Sequence, residues 1–291
     1  MLTHPTLDRL RTIRLNGMAD AYAEQMNQTE SDALTFDERL GLLVDREASD
    51  RESRRLTSRL RRARLRQSAA IEDVEYSATR GFDKTVIRSL ARCQYIRGAE
   101  NILIVGPTGT GKTYLACAFA HKACLEGFTA QYHRLSTLLA NLEIAKADGR
   151  YGKLVTAIAK TDLLILDDWG LAPINDHART ILLEILDDRH GNKSTIVTSQ
   201  LPIDAWHTAI GEATIADAIL DRLVHNGHKI ELTGESMRKK TIYHREQNNT
   251  RHKKLTRLAC LRPRPASIII GGQIRRNTHS PKLSAILMLE I

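Results

Sequence analysis

The sequence predicts an α/β protein built on a parallel five-stranded sheet with flanking helices, preceded by a small all-helical domain. Three observations carry this expectation. From residue 101 onward short apolar runs alternate with helical stretches, a glycine-rich loop follows the first of those runs, and residues 1–75 carry only helical patterning. Apolar runs with no polar alternation belong to strands buried on both faces, the condition of a parallel sheet covered by crossover helices.

The elements follow in order. Between residues 6 and 28, Leu7, Leu10, Leu15, Met18, Tyr22 and Met26 recur at helical spacing, broken at Gly17, so a short helix pair is expected. Thr35-Phe-Asp-Glu38 is a capping box opening the apolar series Leu40, Leu43 and Val44, and that helix is expected to run on through the arginines that follow. Asp83 is placed to cap a helix through Cys93. Strands are expected at 102–105, 130–133, 163–166, 195–198 and 229–232. Past about residue 245 the alternation stops and Asn, Pro and Gly clusters read as loop or disordered chain. The expected domains are 1–75, helical; 76–247, the α/β unit; and 248–291, a basic tail.

Composition narrows the class. With 291 residues, 42% hydrophobic and 26% charged, the chain can bury a sizeable core. Its longest apolar runs fall far short of the ~20 residues a membrane span needs, so no membrane protein is expected. The N-terminus shows no continuous apolar leader, which makes the cytoplasm the expected compartment. Cys93, Cys117, Cys124 and Cys260 stand at no zinc-ligand spacing and read as reduced thiols, mostly buried. The formal charge of +9 is concentrated: residues 251–291 hold nine Lys or Arg against Glu290 alone. A second excess is the run Arg51, Arg54, Arg55, Arg59, Arg61, Arg62, Arg64 and Arg66 against Glu52.

The chemistry is densest at residues 106–113 (GPTGTGKT), a strand followed by G-x-x-x-x-G-K-T and then a helix. Gly106, Pro107, Thr108, Gly109, Thr110 and Gly111 let successive backbone amides face one anion. Lys112 adds a charge at the β- and γ-phosphates, and the Thr113 hydroxyl suits Mg2+. Such a loop needs a second, acidic site, which Asp167 and Asp168 supply at the end of an apolar strand. The first carboxylate would hold the magnesium shell through water and the second would orient or deprotonate the attacking water. Asp168 stands where many ATPases carry Glu, and its shorter reach keeps open a scaffold that binds ATP with little hydrolysis.

With both elements in place, residues 5–245 resemble the IstB-like ATP-binding proteins, ATPase helpers of insertion-sequence transposition within the AAA+ superfamily, near replication initiators and helicase loaders. The resemblance rests on residues 106–113, 163–173 (LLILDDWGLAP), 194–202 (STIVTSQLP), 218–232 (AILDRLVHNGHKIEL) and 234–240 (GESMRKK). It implies an ATP-driven homo-oligomer that assembles on double-stranded DNA and recruits or activates a transposase encoded by the same element. A replication helicase loader would share this core and is the alternative. The resemblance also assigns roles: one of Thr198, Ser199 and Gln200 to the first sensor after the fourth strand, and Arg238 to the second sensor, contacting the γ-phosphate. Arg222 corresponds to an arginine finger acting on a neighbouring subunit, whereas its local sequence alone reads as a surface ion pair.

DNA surfaces are expected in two places. The interval between the second and third strands is long enough for two helices, and there Lys146, Arg150 and Lys153 are the candidates, with a solvated loop as the alternative. In the arginine run Arg59, Arg61, Arg62 and Arg64 are expected to meet phosphates, with an acidic partner as the competing use. The basic tail carries no family motif and is expected to add only non-specific affinity. Trp169 and Trp206 read as packing residues.

Overall fold

Why the five apolar runs become one sheet is visible in their neighbours. The structure, a computed structural model, describes residues 4–28, 33–74, 76, 81, 83–234, 236 and 237. Strands β1 (Asn101–Val105), β2 (Ala130–Arg134), β3 (Leu163–Trp169), β4 (Ser194–Ser199) and β5 (Gly227–Glu231) lie in the order β2-β3-β4-β1-β5, every pairing parallel. All five residues of β1 are buried. Ile102 and Ile104 join the core on one face, Leu103 and Val105 the core on the other, which is the two-residue period of a strand covered on both sides.

The helix after β1, α6 in chain order (Lys112–Leu125), packs on the first face together with the short α4 (Lys84–Leu90) and α5 (Gln94–Arg97). The opposite face is covered by α7 (Leu135–Ala147), α8 (Tyr151–Lys160), α9 (Asp176–Arg189), α10 (Trp206–Ile210) and α11 (Ala213–Val224). The interval between β2 and β3 thus holds the two expected helices. Asp83 caps α4, accepting from Thr85 N at 2.7 Å. That helix ends at Leu90, short of Cys93, which stands at φ +58° and opens α5. Trp169 and Trp206 are fully buried with ring centroids 5.1 Å apart, and Cys93, Cys117 and Cys124 are buried free thiols.

Ahead of the sheet stand α1 (Pro5–Thr12), α2 (Asn16–Asn27) and α3 (Phe36–Ala63), the last roughly 42 Å long. The capping box forms: Thr35 N donates to Glu38 Oε2 at 2.8 Å and Glu38 N to Thr35 Oγ1 at 3.4 Å. The break between α1 and α2 falls at residues 13–15 rather than at Gly17. Gly17 sits inside α2, where a Cβ would lie 2.9 Å from the Glu47 Cα of α3, so its smallness serves helix-helix contact. Buried Glu47 accepts from the Gly17 and Met18 amides at 2.8 and 3.3 Å, satisfying free donors at the start of α2. The Arg51 hydrogen bond, opposed by burial and helped by those amides, holds its carboxyl below the usual carboxylate range.

The boundary expected near residue 75 does not separate two cores. Ala63, Ala69, Ile71 and Val74 are buried in the same cluster as Leu115, Phe119 and Ile104, and Leu56 and Leu60 of α3 pack against it. The reason is that α3 changes partner along its length, from α2 to α6 and β2. By compactness the chain divides into Met1–Thr241 and Ile242–Ile291, and all described residues belong to the first unit. The expected basic tail, 248–291, lies outside the described residues, as does Cys260. Among the described residues no helix is long and apolar enough to cross a membrane.

Candidate nucleotide site

The glycine-rich loop leaves β1 at the carboxyl edge of the sheet, where open parallel sheets bind their ligands. Gly106 has φ +150°, and a Cβ there would overlap the Leu232 carbonyl oxygen; Gly109 has φ +86° and passes equally close to Ser236. Gly111 then precedes α6, so the first amides of that helix face the loop's concavity. The Lys112 ammonium donates to the Gly106 and Pro107 carbonyls at 2.7 and 2.8 Å, and Thr110 Oγ1 to Pro107 O at 2.9 Å. Thr108 to Thr113 line a cavity of about 580 Å³, within the range of ligand pockets.

The acid pair is split by the backbone. Asp167 is fully buried, and its carboxylate accepts from Thr113 Oγ1 at 2.9 Å, from Tyr132 OH at 2.5 Å and from Thr198 Oγ1. An irregularity in the β3–β4 ladder between Leu166 and Trp169 follows, with Asp168 at φ +64°, a conformation that non-glycine residues adopt rarely. Such bulges re-aim side chains next to sites. Asp168 therefore opens into the cavity, where Arg134 Nε lies 3.4 Å and Arg66 Nη1 3.8 Å from its Oδ2. Burial and the hydrogen bond to Asp167 both push the Tyr132 phenol pKa up.

The residues present fit a magnesium nucleotide. The Thr113 hydroxyl and the Asp167 carboxylate adjoin at 2.9 Å, a pair of hard oxygens of the kind that holds Mg2+ together with phosphates and water. Lys112 and the loop amides supply the complement to a triphosphate.

The other expected site residues divide. Gln200 lines the cavity, while Ser199 is buried with its hydroxyl donating to Trp169 O at 2.9 Å and accepting from Leu201 N at 3.0 Å. Of the three candidates at the end of β4, the one whose side chain reaches the acid is Thr198, which donates to Asp167. Arg238 lies outside the described residues; just before it, Met237 N donates to Gly109 O at 2.9 Å. Arg222 is ion-paired with Asp187 and donates to Ala218 O at 2.7 Å. Its carbonyl accepts from Asn101 Nδ2 at 2.9 Å, at the far end of β1 from the loop, about 13 Å away along the strand.

Among the expected DNA residues, Arg59 is the least exposed: its side chain is only 16% exposed, pairs with Glu52 at 2.5 Å and donates to Gly127 O at 3.5 Å. The face of α3 carrying it packs on the turn after α6, which the charge run alone could not reveal. Arg61, Arg62 and Arg64 are exposed. On the insert, Lys146 Nζ lies 4.7 Å from the Tyr151 ring centroid, Arg150 pairs with Asp148, and Lys153 is exposed. Sequence reasoning missed Tyr132 and Arg134, although the end of β2 next to β3 in a parallel sheet places them at the acid pair; Arg134 is in register with Asp167. Nothing local to its sequence marked Arg66 as a site residue.

Sheet order and cradle together define a P-loop nucleotide-binding fold. Its sequence profile match is specific: the chain belongs to the IstB-like ATP-binding protein family, over residues 8–245. It is 52% identical over 239 residues to the y4pL protein of Sinorhizobium fredii, named an insertion-sequence ATP-binding protein, covering 82% of this chain and 98% of that one. The protein so named from IS21 of Pseudomonas aeruginosa is 32% identical, covering 80% and 87%. In fold the chain is similar to the DnaI structure (TM-score 0.51, 22% identity, 58% of this chain and 92% of that one). It is likewise similar to AMPPCP-bound DnaA from Aquifex aeolicus (TM-score 0.50, 17% identity, 64% and 56%).

Proposed function

We propose that the chain is an ATP-hydrolysing helper that assembles as a homo-oligomer on double-stranded DNA and recruits or activates the transposase of its own insertion sequence. The observation that carries the hydrolytic part is the turn at Asp168. A buried Asp167 beside Thr113 suits the Mg2+ side of the nucleotide, and the re-aimed Asp168 suits the attacking water. Arg222, at the opposite end of β1 from its own loop, supports action across a subunit boundary. Arg238, next to the chain that touches Gly109, is assigned to the γ-phosphate, and Gln200 to the first sensor. Arg61, Arg62, Arg64, Lys146, Arg150 and Lys153 are assigned to DNA phosphates. The cytoplasm is the compartment this reading requires.

A second reading, a nucleotide-gated DNA scaffold with little turnover, is favoured by one observation. Arg134 and Arg66 both neighbour Asp168 Oδ2, so two guanidinium groups compete with water for that carboxylate oxygen.

One experiment separates the two. Phosphate release and ATP binding are measured for the wild type, Asp168→Asn, Arg222→Ala, and a mixture of Arg222→Ala with Lys112→Ala. The helper reading expects Asp168→Asn to keep ATP binding and lose turnover by about 100-fold or more. It also expects partial recovery in a mixture verified to co-assemble. A wild type that binds ATP and releases no phosphate with DNA present establishes the scaffold instead, and no recovery in co-assembled mixtures removes the finger.

A further inference from the structure

The last arginine of the run points inward. Arg66 Nη1 lies 3.5 Å from Asp167 Oδ2 and 3.8 Å from Asp168 Oδ2, and Arg66 lines the same cavity as Lys112 and Thr113. Its backbone belongs to the segment after α3 whose Ala69, Ile71 and Val74 are buried, so its Cα is fixed. Its side chain is 37% exposed, which leaves the guanidinium room to turn away from the acids. Burial alone would lower its pKa, but Tyr132, Asp167 and Asp168 outweigh burial and the net direction is upward.

A carboxylate offers about four lone-pair sites. On Asp167 they meet Thr113, Thr198, Tyr132 and Arg66. Three of these donors are neutral hydroxyls, one of them the Thr113 group that would itself hold the metal. Arg66 brings a full positive charge to Asp167 Oδ2, which also lies 3.1 Å from the Thr113 hydroxyl. Two cations within a few ångströms repel, so the guanidinium at this carboxylate opposes a divalent ion beside it.

We propose that Arg66 is a built-in competitor of magnesium: its guanidinium holds Asp167 and must swing aside for the magnesium-nucleotide complex, lowering the affinity for that complex specifically. This rests on the reading of Thr113 and Asp167 as the magnesium side of the site. A partly exposed ion pair of this kind corresponds to an effect of roughly two- to five-fold.

The test titrates the full-length chain with a fluorescent ATP analogue, once with Mg2+ and once with EDTA, for wild type, Arg66→Gln and Arg66→Lys, each with a melting curve to verify folding. The competitor predicts that Arg66→Gln binds the magnesium complex about two- to five-fold more tightly and the EDTA sample unchanged. Arg66→Lys, which keeps the charge, stays near wild type. Weaker binding in Arg66→Gln, no shift, or the same shift in both conditions overturns it, because Arg66 then contacts the nucleotide or acts only structurally. A wild type that binds equally with and without magnesium overturns the magnesium-site reading, and the inference with it. If the wild type binds the analogue only with magnesium and Arg66→Gln does not tighten it, that reading stands and the competitor alone fails.

Discussion

The glycine-rich loop and the arginine run are both dense clusters of one chemistry in the sequence, and the fold treats them in opposite ways. Residues 108–113 stay together around one cavity. The arginines disperse: Arg51 and Arg54 pair with Glu47, Arg59 with Glu52, and Arg66 with Asp167 and Asp168. Arg61, Arg62 and Arg64 keep exposed side chains, with no ion pair among the described residues. The loop acts as a unit because consecutive backbone amides do its work. A helix turns about 100° per residue, so consecutive side chains on α3 meet different surroundings.

The largest effect that could break this comparison is at the loop. Lys112→Ala removes the loop's own ammonium, which would meet the phosphates, and should weaken ATP binding by about 100-fold or more in equilibrium titration. Retained affinity would mean the loop is not a functional unit. Next, replacing Arg61, Arg62 and Arg64 together with Gln should weaken DNA binding and lower the slope of log affinity against log salt by about 2.7, the value for three lost phosphate contacts. An unchanged slope would hand these arginines to an acidic partner.

Arg59→Gln sharpens the contrast from the other side. It should leave that slope unchanged and cost about 1 kcal/mol of stability, a few degrees in melting temperature, because its contacts are to Glu52 and Gly127. A slope change without a stability loss would return Arg59 to the DNA surface. The smallest effect concerns Glu47. A carboxyl held below its ordinary value contributes stability that is present above about pH 4.5 and lost as pH falls through the lowered value. Glu47→Gln should therefore flatten the acid limb of a urea-unfolding series run from about pH 7 to 3, and an identical limb would remove this linkage.

What could be read in advance follows the same division. The five strands, the Thr35 capping box and residues 106–113 were legible because each depends on neighbours within a few positions. The placement of Arg66 and Arg59 was not, since each is decided by a partner more than 60 residues away, Asp167 in one case and Gly127 in the other. Gly17 was legible as a special position but not as a contact, because its partner backbone at Glu47 lies on another helix. Tyr132 and Arg134 fall between: parallel pairing of β2 with β3 puts the end of one strand beside the acids of the other, a deduction available once the strand order is known. Ser199 and Thr198 differ by one residue and by a face of β4, which only the register decides.

The close passage at Gly106 and Gly109 gives the loop a second face. On one side is the cavity; on the other the chain leaving β5 runs past, with Leu232 N bonded to Val105 O at 2.8 Å and Met237 N to Gly109 O at 2.9 Å. The glycines therefore make room for polypeptide as well as for phosphate. Displacing the chain at Met237 would pull on the Gly109 carbonyl, and through it on the nucleotide cradle.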